Sequence, residues 1–214
     1  MKAHKEERYW SRYADSYDRD GEYVVGEPIL RAIEERLLPE QSLGNAIEFG
    51  CGTGYFTKVI ASNATHIVAT DLSDEMLQVA RTQLRDLANI TIRKADCANT
   101  SFSAQSFDSV FMANLLHVID DPAKCLRESQ RILRDGGLLI VVDFTGYQVR
   151  FSQKMKLGFR YVRTWGRPPR RGQNNMTPDE LVNLVENTGF GVEEIELLRA
   201  GMNALYLRAK KKKQ

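Results

Sequence analysis

Between Ile47 and Phe56 the chain reads IEFGCGTGYF, a short apolar run that breaks into glycines at positions 50, 52 and 54. Glycine permits positive φ and lets a ligand approach the bare backbone, so a Gly-rich bend between a strand and a helix marks a small-molecule site. Three kinds of ligand fit such a bend: a nucleoside triphosphate, a dinucleotide, or a nucleoside without phosphate. The bend also constrains its surroundings, since it requires a buried strand before it and a helix after it.

The rest of the chain supplies that setting. Residues 46–49 read as a strand, 55–61 as a helix, and HIVATD as a second strand ending at Asp71. Ser73, followed by Asp74 and Glu75, predicts a helix N-cap with first-turn carboxylates that suit the helix dipole. ITIRKAD, FDSVFMAN and GGLLIVVDF read as strands three to five, with a helix over 122–133 that Gly136 and Gly137 close. Thr177-Pro178-Asp179-Glu180 has the form of a capping box with proline at the first helical position, and Gly189 ends that helix. Two last strands, 192–198 and 202–209, are linked by only three residues, Arg199, Ala200 and Gly201, which forces antiparallel pairing. Repeated exchange of strand and helix, with apolar first and fifth strands, predicts an α/β fold: a mostly parallel sheet covered on both faces.

Two helices are expected ahead of the first strand. Tyr9, Trp10, Tyr13 and Tyr17 recur at helical spacing, as one face of a helix would place them, and Ile29, Leu30, Ile33 and Leu37 form the stripe of a helix over 28–38. With 214 residues and 43% hydrophobic content, one well-buried core is expected. No apolar run is long enough for a membrane span, and the charged start MKAHKEERYW lacks a signal-like apolar core, so a cytoplasmic location is expected. Cys51, Cys97 and Cys125 have neither an even count nor CxxC spacing, which suggests no disulfide framework and no zinc site. The net charge of +2 is unevenly spread. From Phe144 to Pro178 there is no acidic residue, while Arg150, Lys154, Lys156, Arg160, Arg163, Arg167, Arg170 and Arg171 all fall there.

The triphosphate reading fails because Gly54 is followed by Tyr55 and Phe56 rather than Lys-Ser/Thr. A dinucleotide fingerprint needs its third glycine one residue later. Asp71, about 20 residues past the first glycine, suits the two hydroxyls of a ribose, which leaves both a dinucleotide and a phosphate-free nucleoside open. A cap for the following helix is the plainer role for Asp71, but Ser73 already fills it.

AIEFGCGTG, VATDLSDEML, KADCANTSF, FDSVFMANLLHVIDDP, RILRDGGLLIVVDF and TPDELVNLVENTGF together resemble the successive motifs of class I S-adenosylmethionine-dependent methyltransferases, in the small-molecule branch that includes quinone-ring methylases. The resemblance implies a Rossmann-like, doubly wound, seven-stranded sheet, mostly parallel, with an antiparallel terminal strand in which the seventh strand inserts beside the fifth. It implies S-adenosyl-L-methionine as methyl donor and S-adenosyl-L-homocysteine as product. By the same resemblance Glu48 would anchor the methionine ammonium, and the backbone at Gly50, Cys51 and Gly52 would line the methionyl moiety. Asp71 would bind the ribose, with Leu72 and Met76 against the adenine. Asp96 would accept from the adenine amino group, Cys97 would donate its backbone N–H, and Asn114 would close the pocket with its backbone carbonyl.

Plainer roles stand beside these: Met76 as core, and Cys51 as a small filler. Glu48 ends an apolar strand, where an unpaired carboxylate would be costly, so a partner is expected. His117, following the fourth strand, is the candidate base for an acidic acceptor, or a packing residue. Tyr9, Tyr13 and above all Tyr17 are candidate lid residues, or core. One domain over 1–209 follows, with residues 1–40 as a helical lid, 146–172 as a basic insertion over the substrate site, and 210–214 as a disordered tail. The insertion could face an anionic or lipid-like acceptor or an acidic membrane surface, or serve as an exposed arm or dimer contact, so monomer and homodimer both stay open. Rival functions are an RNA methyltransferase holding nucleic acid on the insertion, an NAD-dependent oxidoreductase, and a protein that binds the donor without turnover. The oxidoreductase lacks a Tyr-x-x-x-Lys pair, and the RNA enzyme lacks an Asn-Pro-Pro-aromatic clamp after the fourth strand.

Overall fold

A computed structural model describes residues 3–167 and 175–213. Seven strands form one sheet: β1 (Asn45–Phe49), β2 (His66–Asp71), β3 (Ile90–Lys94), β4 (Phe107–Ala113), β5 (Leu133–Thr145), β6 (Phe190–Ala200) and β7 (Met202–Lys211). Their order is β3-β2-β1-β4-β5-β7-β6. The pairs among β1 to β5 are parallel, and β7 runs antiparallel to both β5 and β6. This is the Rossmann-like, mostly parallel seven-stranded sheet expected from the motif series, with the reversed strand inserted beside β5 and β6 left at the edge.

The helices are α1 (Ala3–Ser11), α2 (Tyr17–Val25), α3 (Glu27–Leu37), α4 (Thr57–Ala61), α5 (Asp74–Gln83), α6 (Pro122–Ile132), α7 (Phe151–Trp165) and α8 (Pro178–Glu186). Their starts follow local chemistry. Ser73 Oγ accepts from the Met76 amide at 3.1 Å, and Asp121 Oδ1 from the Lys124 amide at 2.9 Å. At α8 the capping box closes in both directions, Thr177 Oγ1 accepting from Glu180 N at 3.2 Å and Glu180 Oε2 from Thr177 N at 2.8 Å.

Strand alternation divides the core into two layers. Ile47 and Phe49 of β1 face one side with Val110, Met112, Leu139 and Val141, under Leu126 of α6 and Leu181 and Val185 of α8. Ala46 faces the other with Phe111, Ile140 and Tyr206, under Ile29, Ile33 and Leu37 of α3 and Ile60 of α4. Glu48 shares the parity of Ala46, which turns its carboxylate towards α4 and away from water.

Three expectations need correction. The aromatic residues of the N-terminus do not lie along one helix: α1 stops at Ser11, a short 3₁₀ turn (Ala14–Ser16) intervenes, and α2 begins at Tyr17. Their spacing reflects a shared partner, because Trp10 and Tyr17 pack on Trp165 of α7 while the hydroxyls of Tyr9 and Tyr13 donate to its carbonyl. The glycine pair at 136–137 does not close α6. That helix ends at Ile132, and the two glycines lie within β5, whose register against β4 shifts where Gly136 takes φ 74°. The lysine tail is ordered further than expected: Lys210 and Lys211 belong to β7, and Lys211 Nζ donates to the Leu133 carbonyl at 2.8 Å. Arg170 and Arg171 of the basic insertion lie outside the described residues. Among the described residues no helix is long and apolar enough to cross a membrane.

Candidate active site

At the carboxyl ends of β1, β2 and β4, a cavity of about 880 Å³ opens beneath α1, α2 and α7. The residues proposed for the donor site border it, Glu48, Gly50, Cys51, Gly52, Asp71, Leu72, Met76, Asp96, Cys97 and Asn114, and so do His117 and Tyr17, whereas the lid candidates Tyr9 and Tyr13 do not line it. Parallel strands end here with their loops diverging, the place where α/β sheets form crevices.

The glycine bend forms the floor. Gly50, Gly52 and Gly54 take φ of 70°, 54° and 87°, the left-handed region that favours glycine. A Cβ on Gly54 would stand 2.7 Å from Leu84 Cδ1, whereas one on Gly52 would meet no protein atom within 4 Å. Gly54 is therefore needed for packing, and Gly52 presents bare backbone to the cavity. The Gly52 amide donates to Asp71 Oδ2 at 3.0 Å, and the Ser73 amide to Asp71 Oδ1 at 2.9 Å. Asp71 thus ties the bend to β2, and each of its oxygens keeps a further lone pair for a hydroxyl donor.

Glu48 is 1% exposed, and its Oε2 accepts from Thr57 Oγ1 of α4 at 2.6 Å. Burial pushes its pKa up to about 8; the Thr57 bond works against that rise, and the neighbouring Asp71 adds to it. Asp71 is also raised, chiefly by burial, against the lowering effect of the amides it accepts from. No lysine or arginine offsets this pair: neither carboxylate is in an ion pair among the described residues. Two desolvated carboxyls without a cation suit a ligand that brings a positive charge and hydroxyls of its own.

Cys51 is no nucleophile: burial drives its thiol pKa well up, and Glu48 and Asp71 add to the effect. At the far end, Asp96 Oδ1 accepts from the Ala98 amide at 2.8 Å, beside buried Cys97 and Met76. Asn114 follows β4 with φ 53°, a conformation asparagine tolerates, and its Oδ1 accepts from the Phe144 amide at 3.2 Å.

His117 has a partner that the sequence reading missed. Its backbone N–H donates to Asp143 Oδ2 at 2.9 Å, and its Nδ1 contacts Asp143 Oδ1 directly. Asp143 is 1% exposed. Burial lowers the His117 pKa, but the Asp143 carboxylate outweighs this and leaves it raised. With Nδ1–H donated to Asp143, Nε2 is the imidazole atom left to accept a proton. A lone acid inside LLIVVDF was the available signal, of the same kind that drew attention to Glu48.

The roof is aromatic. Tyr17 stacks on Trp165 at 6.0 Å and 19°, and Trp10 and Tyr161 meet Trp165 edge-on at 5.4 and 5.1 Å. Burial, with Asp71 and Asp18 adding, raises the Tyr17 pKa, so its hydroxyl stays protonated at neutral pH. Asp18 ties this roof to the floor by accepting from Thr53 Oγ1 of the bend and from Gln83 Nε2 of α5, the latter at 2.8 Å.

Comparison with known proteins shows what this chain is similar to. A model described as "Methyltransferase domain" matches residues 47–141, from the first strand through the bend to β5. The demethylmenaquinone methyltransferase of Tropheryma whipplei is 27% identical over 157 residues, 72% of this chain and 65% of that protein. The chain thus spans about 65% of the length of that relative. The demethylmenaquinone methyltransferase of Thermotoga maritima is 26% identical over 210 residues, 86% of this chain and 87% of that protein. A solved structure of a SAM-dependent methyltransferase from Aquifex aeolicus has the same fold, with TM-score 0.68 at 16% identity over 94% of this chain and 98% of that one.

Two predictions follow from the floor of the cavity. Gly54→Ala should lower unfolding free energy by about 2–5 kcal/mol, overpacking against Leu84 adding about 1–3 kcal/mol to about 1–2 kcal/mol of left-handed strain. Gly52→Ala should lower it by only about 1–2 kcal/mol. Urea unfolding of the two variants checks this, and an equal or reversed order would contradict it. The second concerns Glu48, whose folded-state pKa is raised to about 8. The folded protein holds a proton that the unfolded chain has lost, so ligand-free stability should fall as pH rises from about 4.5 to about 8. Glu48→Gln should flatten this slope in urea titrations across that window, leaving the contribution of Asp71, which is raised in the same direction.

Proposed function

We propose that this chain, a class I S-adenosylmethionine-dependent methyltransferase in fold and domain content, transfers a methyl group to a small aromatic acceptor that carries an ionisable hydroxyl or acidic carbon, of the kind found in quinols. The observation that carries the reading is the His117–Asp143 pair, whose imidazole borders the same cavity as Glu48, Asp71 and the glycine bend, with Asp143 buried behind it. One pair suits a cationic nucleoside, and the other suits removal of an acceptor proton.

S-adenosylmethionine supplies a methyl carbon on a sulfonium centre, whose departure leaves a neutral thioether. Glu48, once deprotonated, would hold the donor's ammonium. Asp71 would accept from the ribose hydroxyls while keeping its hold on Gly52 and Ser73. Leu72 and Met76 would flank the adenine, Asp96 would accept from its amino group and the Cys97 amide would donate to its ring. The backbone of Gly50 and Cys51 would lie along the methionyl chain, and the Asn114 carbonyl would close the pocket beside it. None of these positions demands a phosphate-binding lysine.

For the acceptor, His117 would take the departing proton on Nε2, and Asp143 would fix the tautomer and stabilise the imidazolium. Much of the remaining acceleration in such a displacement comes from alignment and exclusion of water. Tyr17, Trp10, Tyr161 and Trp165 provide flat apolar walls for an aromatic ring, and the tie from Asp18 to Thr53 holds those walls against the donor site. The demethylmenaquinone methyltransferase names of the relatives above support a quinone-like acceptor.

Labelled-methyl transfer with S-adenosylmethionine and a panel of small hydroxylated aromatics tests the reading directly. His117→Ala should lower kcat by about 10²–10⁴-fold with donor affinity retained. Asp143→Asn should lower kcat and also move the His117-dependent limb of the pH profile to lower pH, since the carboxylate is what raises that histidine. An Asp143→Asn enzyme with an unmoved profile would remove the proton-acceptor role. Label recovered only in RNA would replace the small-molecule acceptor with a nucleic acid.

A further inference from the structure

α7 carries three faces at once. At about 100° per residue, Leu157, Tyr161 and Trp165 point to one sector, and these are the residues that border the cavity and pack with Tyr9, Trp10, Tyr13 and Val24. Phe151, Met155, Phe159 and Val162 fall within about 80° of arc on another sector. They are 78%, 60%, 66% and 50% exposed, and they supply four of the seven large hydrophobic side chains that the described surface leaves exposed. Lys156, Arg160 and Arg163 occupy the third sector, on the far flank of the apolar stripe, while Lys154 lies on the cavity side.

An apolar stripe of this size on a water-facing helix is unexpected unless something covers it. The charge around it selects what that is. The sequence has no acidic residue from Phe144 to Pro178, and Arg150, Lys154, Lys156, Arg163 and Arg167 are all exposed. Arg160 bends back to donate to the Tyr23 carbonyl at 3.1 Å and lies 5.0 Å from the Tyr23 ring, which is itself 49% exposed and extends the surface with an amphipathic side chain. Long cationic side chains beside phenylalanine and methionine are what a helix lying in a lipid headgroup layer presents.

We propose that the outer face of α7 is a docking surface for an anionic lipid bilayer: Phe151, Met155, Phe159 and Val162 enter the acyl boundary while Lys156, Arg163 and their basic neighbours contact headgroup phosphates. Val162 and Gly158 border both this face and the cavity, so docking sets the mouth of the cavity against the membrane. The surface is independent of the methyl-transfer reading, because it requires neither donor nor turnover.

Flotation of the full chain with vesicles of phosphatidylcholine alone, or of phosphatidylcholine mixed with phosphatidylglycerol, tests the proposal. The protein should float with the mixed vesicles, far less with phosphatidylcholine, and should be released as salt rises. Phe151→Ser with Phe159→Ser should reduce the partition coefficient by about tenfold or more without changing the thermal midpoint, since both side chains are exposed. Lys156→Glu with Arg163→Glu should abolish the preference for the anionic vesicles. Failure of the wild-type chain to float with either vesicle would overturn the proposal, as would equal flotation of the phenylalanine variant. So would light scattering that shows a wild-type dimer reduced to a monomer by the phenylalanine substitutions, because a second copy would then cover the stripe.

Discussion

Glu48, buried, and Asp71, partly exposed to the cavity, are two carboxyl groups at the ends of adjacent parallel strands, with a threonine hydroxyl and two backbone amides as their partners. Desolvation of this kind is expensive, and it raises both pKa values. The surrounding architecture can be understood as a means of holding the pair in place. β1 delivers Glu48 on the α4 side of the sheet, where Thr57 can meet it. The glycine bend passes close enough for Gly52 to donate to Asp71. Buried hydrophobic layers on both faces of the sheet fix the strand ends, and Glu48 stays 1% exposed among them. Such a pair is a standing electrostatic demand, and a ligand carrying a cation and vicinal hydroxyls answers it.

The second pair, His117 with Asp143, has the opposite character. It is internally balanced, a carboxylate against an imidazole, and needs no ligand to be stable. Only its imidazole borders the cavity, and the proton-acceptor role is the one proposed for it above. Asn114, which also borders the cavity, takes a left-handed conformation just after β4, where the chain turns from the sheet into the segment bearing His117.

Much of this was legible in the sequence, and for identifiable reasons. Period-two and apolar runs specify strands wherever both faces are buried, so β1, β2 and β4 were placed within a residue or two. Ser73 and Thr177 announced their helices through cap chemistry that depends on only a few neighbouring residues. The residues proposed to hold the donor could be expected at one cavity because loops between parallel strands and helices all emerge on one edge of the sheet. What was not readable depends on distant partners. Tyr9, Trp10, Tyr13 and Tyr17 carry helical spacing, yet they belong to separate segments that converge on Trp165, more than 140 residues away in the chain. Asp143 lies in a strand recognised by its apolar run, and its role emerges only when β5 lies beside β4 and the His117 segment folds over the strand end. The glycines at 136–137 carried a helix-stop signal that was overridden by pairing of β5 with β4.

The most direct measurement is calorimetric titration of the chain with S-adenosylmethionine and S-adenosylhomocysteine, near neutral pH, in two buffers of different ionisation enthalpy. If an ammonium settles against Glu48, whose pKa without ligand is near 8, binding must expel a proton. The account predicts binding heats that differ between buffers, affinity that rises with pH up to about 8, and loss of the buffer difference in Glu48→Gln. Binding of either ligand with no proton released, or no binding heat from well-folded protein, would contradict it.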